Sequence, residues 1–151
     1  MRKFIFISTT LILSMMTGCN RLSPLPDIGS EYKLEYNSMN DIGIINSENS
    51  YLIYGHILDY AFDSTFIIVA ERPRDSIPEC TGTMPGMTLK KSQAAFEQST
   101  FKQYWIINKK EKSEFNEATK IYSNVYGPYK KEEYLQKREE LGVPRELKLK
   151  E

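Results

Sequence analysis

The stretch "TFIIVA", from Thr65 to Ala70, is a dense run of β-branched and aromatic side chains. Residues of these types favour strands, so we expect this run to lie centrally in a sheet. The turn residues Asp63-Ser64 come directly before it. The run ahead of that turn, residues 51–62, is also β-like, and we expect it to bend at Gly55.

Further strands lie on both sides of this run. In "EYKLEY", residues 31–36, tyrosine and leucine alternate with charged residues, which predicts a half-buried strand. "QYWIIN", residues 103–108, predicts a second strong strand. "DIGIIN", residues 41–46, predicts a strand with a bulge at Gly43.

Residues 71–86 contain three prolines and two glycines, which predicts a long loop that contains Cys80. Thr88 then caps a predicted helix over Leu89–Gln98. The side chains expected along one face of this helix are Leu89, Gln93 and Phe96. Residues 115–123 favour neither element, and "NVYGP" predicts a strand that ends at Gly127-Pro128.

The helix predicted over Lys131–Leu141 has the clearest signals. Acidic residues lie in its first turn, and Gly142 and Pro144 end it. The side chains near one face are Tyr134, Leu135, Arg138 and Leu141, and Val143 is expected to pack back on the last turn. Strands and helices that do not alternate regularly predict an α+β fold. We expect an antiparallel sheet of about five strands with one or two helices packed on it.

The N-terminus has the three zones of a secretory signal peptide. Arg2 and Lys3 precede a largely apolar run over residues 4–16, which is too short to span a bilayer. The run ends in Met16-Thr17-Gly18-Cys19, which resembles the lipobox of bacterial lipoproteins with Met in place of the usual Leu. The alternative is an ordinary signal peptide with a cysteine beyond its cleavage site.

The lipobox resemblance implies diacylglycerol on the Cys19 sulfur, cleavage after Gly18 and acylation of the new amino group. Stable anchoring needs more than one acyl chain. Residues 1–18 are then a removed signal peptide, residues 19–30 a tether and residues 31–151 one globular domain. The implied location is the bacterial cell envelope, with the lipid anchor in a membrane. Asn20 resembles the residue after the cysteine in proteins sorted to an outer membrane, where the cell has one.

The mature chain would carry no basic excess. Cleavage leaves 133 of 151 residues and removes Arg2 and Lys3, so 18 basic residues remain against 20 acidic ones, a formal net charge of −2. Nucleic-acid binding needs a basic surface, and we therefore expect no nucleic-acid partner.

Residues that carry chemistry are scarce. His56 is the only histidine, and with Cys19 lipidated Cys80 is the only free thiol, so a usual N/S metal site has too few ligands. Cys80 and His56 could in principle form a pair of nucleophile and base. However, the loop around Cys80 has no helix N-terminus and no basic residue that would lower the pKa of the thiol. We interpret His56 as a sheet residue and Cys80 as a free thiol, the alternative being a bridge between chains.

Other catalytic patterns are also weak. The acidic pairs Glu132-Glu133 and Glu139-Glu140 lie on a helix predicted to be exposed, where a solvated face is the simpler interpretation than a catalytic carboxylate pair. The glycines are scattered and form no phosphate-binding loop. We expect no enzymatic activity, no metal and no cofactor.

Tyrosine is the unusual feature of the composition. All ten tyrosines lie beyond residue 30, and Trp105 follows Tyr104. Aromatic side chains gathered on one open face would suit glycan stacking or a protein contact. The alternative is a purely structural role, because tyrosines pack well in half-buried strands while their hydroxyl groups reach water.

The C-terminal third resembles an uncharacterised family of small bacterial lipoproteins, domain of unknown function 3997. The residues that carry the resemblance are "YWIINKKEK" and "VYGPYKKEEYLQKREELGVPRELKL", together with the earlier "FIIVAERP". It extends over roughly residues 27–149. A longer connection over residues 108–126, and Lys130 at the helix cap, depart from the family pattern. The resemblance implies a fold and a location and no activity.

We expect a lipid-anchored envelope protein without enzymatic activity that binds a protein partner or inhibits an exported enzyme. The alternative is a ligand- or glycan-binding module that uses Tyr and Trp side chains. A contiguous exposed apolar patch without a cleft would favour the protein partner. A concave pocket lined by several tyrosines would favour the ligand.

Overall fold

The computed structural model describes residues 25–29, 31–37, 41–82 and 84–150. The predicted signal peptide and the lipobox, with Cys19, lie outside these ranges. Residues 25–29 belong to the predicted tether, yet Ile28 is fully buried in the core and Asp27 forms a β-bridge with Lys33. These residues therefore pack as part of the domain.

The described residues form nine strands, two α-helices and one 3-10 turn. The strands are β1 Tyr32–Tyr36, β2 Ile42–Asn46, β3 Tyr51–Ile53, β4 His56–Phe62, β5 Phe66–Arg72, β6 Gln103–Asn108, β7 Phe115–Asn116, β8 Ile121–Tyr122 and β9 Val125–Tyr129. The helices are α1 Leu89–Gln98 and α2 Lys131–Leu141, and the 3-10 turn is Pro78–Cys80.

The α+β class, the antiparallel pairing and the C-terminal helix are confirmed. The strands are distributed over three sheets, with orders β1-β2-β3, β4-β5-β6-β9 and β7-β8. The chain leaves the first sheet after β3 and begins the second at β4. The bend at Gly55, which was predicted, lies between those two strands.

Strand β5 lies in the interior of the four-stranded sheet, between β4 and β6, as "TFIIVA" predicts. Ile67 and Val69 face a core shared with the three-stranded sheet. Phe66 and Ile68 face a second core, which α2 and the C-terminal segment cover. A strand buried on both faces can be apolar at every position, and burial of each such side chain contributes about 1.5–3 kcal/mol.

Both predicted helices have the predicted bounds. In α1, the Thr88 hydroxyl accepts a hydrogen bond from the Lys91 backbone N–H at 3.3 Å. The expectation that Leu89 and Phe96 share a packed face is wrong for Leu89, which is 92% exposed, while Phe96 is buried. Leu89 is the first residue of the helix, whereas Phe96 lies about two turns further on, where it contacts His56 and Arg72 of the four-stranded sheet. Neither described helix has the length and apolarity needed to cross a bilayer.

Helix α2 ends as predicted. Gly142 adopts a left-handed φ of 70°, and the N–H of Val143 donates to the Arg138 carbonyl at 2.9 Å. At the other end, Lys130 lacks a capping hydroxyl, but its backbone N–H donates to the Glu133 carboxylate at 3.0 Å. This is one half of a capping box.

Two boundaries differ from expectation. Residues 115–123, which favoured neither element, contain the β7–β8 hairpin. Gly127-Pro128 lies inside β9 rather than at its end, since β9 pairs with β6 through Tyr129. Pro128 lacks an N–H donor, and β9 tolerates it because it is the edge strand of its sheet.

Candidate functional site

Glu71 is a buried carboxyl group in β5, where it follows five apolar residues. The sequence pattern placed residue 71 at the start of a loop, but β5 continues to Arg72. Strand alternation therefore brings Glu71 to the same face as Ile67 and Val69. Its exposed fraction is 3%.

Two donors from β6 bind the Glu71 carboxylate. The Trp105 Nε1–H donates to Oε2 at 2.5 Å, and the Gln103 Nε2 donates to the same oxygen at 3.3 Å. The pairing register explains this arrangement, because Glu71 lies directly opposite Gln103 in the β5–β6 ladder.

The second carboxylate oxygen of Glu71 has a different environment. Within the described ranges, no protein donor is bonded to Oε1. This oxygen lies against Gly55, where an added Cβ would be 2.6 Å from the Glu71 Cδ and closer still to Oε1. Gly55 thus leaves the space that the carboxylate occupies.

Burial raises the pKa of the Glu71 carboxyl group above its usual value. The hydrogen bonds from Trp105 and Gln103 oppose this shift, and the negative charge of Asp75 adds to it. Desolvation has the largest effect, since a carboxylate loses the solvation of water when it is buried.

A cleft of about 540 Å³ opens beside Glu71. Its walls come from β3 of the three-stranded sheet, from β5 and β6 of the four-stranded sheet, and from the loop after β5. The aromatic side chains that line it are Tyr51, Tyr54 and Trp105. The volume is in the range of small-molecule sites. Of the other eight tyrosines, seven pack in or against the two cores: Tyr32, Tyr104 and Tyr134 are buried there, and Tyr60, Tyr122, Tyr126 and Tyr129 are partly buried against them.

His56, interpreted from sequence as a sheet residue, begins β4 and also lines this cleft. Its Nδ1 donates to the Asp41 carboxylate at 2.7 Å, and its ring packs edge-on against Phe96. The Cys80 thiol instead donates to the Ser92 carbonyl at 3.4 Å. Cys80 has no disulfide partner among the described residues. His56 and Cys80 therefore engage different partners.

Both cationic residues that line the cleft have charged groups engaged elsewhere. The Arg74 guanidinium carbon lies 4.0 Å from the centre of the Phe96 ring, and Nη2 donates to the Gln93 side chain. The Lys120 ammonium binds the Glu117 carboxylate at 2.5 Å.

A second groove, of about 560 Å³, runs along α2 and the C-terminal segment. Tyr104, Tyr134 and Leu135 contribute to its lining. It is less enclosed than the cleft, and the charged side chains around it are at least partly exposed. The acidic pairs of α2 are likewise solvent-exposed, as predicted.

Metal ligands do not cluster in the part of the chain that the structure describes. There, no three side chains of the His, Cys, Asp or Glu type lie close enough together to hold a metal ion.

Sequence reasoning singled out His56 and the aromatic residues and missed Glu71 and Asp41. A signal for Glu71 was present, because the alternation Ile67, Val69, Glu71 continues one face of the strand. Asp41 had no comparable signal, since only the packing of two sheets brings it to His56.

Comparison with known proteins gives a family. No curated protein and no solved structure matches the chain. A sequence profile does match, over residues 29–151, which is most of the chain and confirms the resemblance carried by its C-terminal third. The chain therefore belongs to the family described as "Protein of unknown function (DUF3997)".

Proposed function

We propose that this protein is a non-enzymatic binding protein of the bacterial cell envelope, and that it holds a small polar ligand in the cleft around Glu71. The observation that carries the proposal is a carboxyl group, 3% exposed, at a cleft lined by Tyr51, Tyr54 and Trp105. Apolar walls with a few placed polar groups are typical of ligand sites.

The buried carboxyl group supports binding over a purely structural role. Removing a carboxylate from water costs free energy that two hydrogen bonds restore only in part. A glutamine at position 71 would also accept a hydrogen bond from Trp105 without that cost. Groups with perturbed pKa values in a cleft are enriched at functional sites.

The distribution of exposed apolar side chains favours a ligand over a protein partner. In the described residues, the large exposed hydrophobic side chains are distributed over several elements and loops: Tyr54, Phe62, Met84, Leu89, Phe101, Phe115 and Leu135. A protein-binding surface is expected to have one contiguous exposed apolar patch without a cleft. We therefore prefer the ligand-binding alternative.

Binding without catalysis is the simpler role for this cleft. His56 is engaged by Asp41, and the Cys80 thiol donates to a carbonyl of α1. Among the described residues, no hydrogen bond joins His56 to a nucleophile.

The location rests on the N-terminal motif. Two or more acyl chains on Cys19 would hold the domain at a membrane. Intact mass spectrometry of the membrane-extracted protein should give the mass of residues 19–151 plus acyl groups. An unmodified chain that begins at another residue would contradict lipid anchoring and would leave the proposal for the cleft standing.

Binding in the cleft is testable through Trp105, the only tryptophan in the sequence. Its fluorescence should respond saturably to at least one class in a panel of amines, amino acids and monosaccharides. Tyr54→Ala should weaken that binding at least fivefold, because Tyr54 lines the cleft and is 54% exposed.

Phe62→Ala is the matched control, since Phe62 is 41% exposed and lies at the other end of β4 from His56. It should leave affinity unchanged. If no compound gives a saturable response, or if both variants lose affinity equally, binding in this cleft is wrong.

A further inference from the structure

The cleft has an excess of negative charge. Three carboxyl groups line it, those of Asp41, Glu71 and Asp75. Asp41 is paired with His56, whereas Glu71 accepts only hydrogen bonds from the uncharged Trp105 and Gln103. Asp75 acts on Glu71 by like-charge repulsion.

Two cationic side chains, Arg74 and Lys120, also line the cleft, so its formal charge is −1 when His56 is neutral. The guanidinium of Arg74 packs on Phe96 and binds Gln93, and both of those residues belong to α1. The ammonium of Lys120 is paired with Glu117 on the same hairpin. A bound cation would therefore lower the electrostatic energy of the cleft.

One acceptor atom of the Glu71 carboxylate has no protein donor among the described residues. Oε1 of Glu71 has no donor among the described protein groups, while both hydrogen bonds to this residue go to Oε2. A nine-tenths buried carboxylate with a free oxygen beside a cleft has room for one strong, charge-assisted hydrogen bond.

The aromatic side chains that line the cleft also favour a bound cation. The faces of Tyr and Trp rings carry negative potential and attract cations within about 6 Å of the ring centre. Tyr51 and Tyr54 pack edge to face with their ring centres 4.8 Å apart, so they present rings in two orientations. Trp105 is held in place by its hydrogen bond to Glu71.

We propose that the ligand of this cleft is a small organic cation of the alkylammonium class, whose N–H group donates to Oε1 of Glu71 while its carbon chain lies among Tyr51, Tyr54 and Trp105. This inference rests on the proposed binding function of the cleft and adds the chemical class of the ligand.

The test compares n-butylammonium chloride with 1-butanol, which has the same chain and a hydroxyl donor without the charge, and with glucose as a neutral polyol. The full chain is titrated at constant ionic strength while Trp105 fluorescence is recorded. We expect n-butylammonium to bind at least tenfold more tightly than either neutral compound. Glu71→Gln, which keeps the shape and removes the charge, should reduce that affinity at least tenfold.

Glu139→Gln on the exposed surface of α2 is the matched control and should leave the affinity for n-butylammonium unchanged. Circular dichroism of both variants should show the wild-type fold. Equal or tighter binding of 1-butanol or glucose would overturn the cationic ligand and preserve the proposed binding function. Unchanged n-butylammonium affinity in Glu71→Gln would also overturn it. No response to any of the three probes would overturn both this inference and binding of these compound classes in the cleft.

Discussion

Glu71 occupies a strand position that an uncharged residue would fill at lower free energy. Its pKa is raised above 4.5 by burial, so the folded chain binds the proton more tightly than the unfolded chain. Its contribution to stability is then fully present below the unfolded-chain pKa and is lost as the pH rises through the folded-state pKa.

We therefore expect Glu71→Gln to raise the free energy of unfolding at pH 7 to 8. The gain should shrink as the pH falls below the unfolded-chain pKa, where the carboxyl group takes up its proton in both states. Urea unfolding followed by circular dichroism between pH 4 and pH 8 measures this. In a plot of unfolding free energy against pH, the control Glu139→Gln should run parallel to the wild type. A Glu71→Gln curve that also runs parallel would contradict a raised pKa of Glu71.

Gly55 makes room for the carboxylate, and this coupling is measurable. In Gly55→Ala the new Cβ would lie 2.6 Å from the Glu71 Cδ, so the side chain must move. We expect a loss of about 1–3 kcal/mol in unfolding free energy, as for other overpacked sites.

A double-mutant cycle isolates the contact between these two residues. In the Glu71→Ala background the clash disappears, and Gly55→Ala should cost less than about 0.5 kcal/mol there. Strictly additive effects would show that Gly55 acts through its backbone and not by admitting Glu71.

At the level of elements, α1 shows that apolar residues at helical spacing do not all pack against the core. Leu89 and Phe96 are both apolar and at helical spacing, yet one is 92% exposed and the other 2%. Phe96 contacts the guanidinium groups of Arg72 and Arg74 and the ring of His56, so it connects α1 to the cleft.

Phe96→Ala should lower the unfolding free energy by about 3–5 kcal/mol, the usual cost of removing a buried aromatic side chain. Leu89→Ala should change it by less than about 0.5 kcal/mol, as an exposed substitution does. Chemical denaturation of the two variants beside the wild type makes the comparison. Similar losses in both would mean that Leu89 is also packed.

For the molecule as a whole, β5 separates the N-terminal side from the cleft. Lys109 lies beside the start of β5, where its N–H donates to the Thr65 carbonyl, and its ammonium group donates to the Ile28 carbonyl at 2.9 Å. Glu71 lies near the other end of the strand, five residues beyond Phe66. At about 3.3 Å per residue this is roughly 17 Å. We predict that a lipid on Cys19 leaves the cleft facing away from the bilayer.

In lipidated protein reconstituted in vesicles, Trp105 fluorescence should be quenched by aqueous acrylamide and little affected by lipids that carry a doxyl quencher near the headgroup. A chain with Trp105→Phe and Leu25→Trp, which moves the indole to the N-terminal side, should respond more strongly to the doxyl lipid. The opposite ranking would show that the cleft faces the membrane.

Much of the fold was predictable because it depends on neighbours in sequence. Alternation identified β1, a continuous apolar run identified β5, the Thr88 cap identified the start of α1, and Gly142 identified the end of α2. The division into separate sheets was not predictable, because it depends on which strands pair across the bend at Gly55.

The sequence by itself determined most of the strands, both helices, the family and the motif that points to a lipid anchor, since each depends on short-range pattern. Only the tertiary structure decided that Glu71 is a buried carboxyl group at a cleft. That placement needs the register of β5 on β6, the packing of one sheet over another and the missing side chain at Gly55. These contacts join residues far apart in the chain, and no local pattern encodes them.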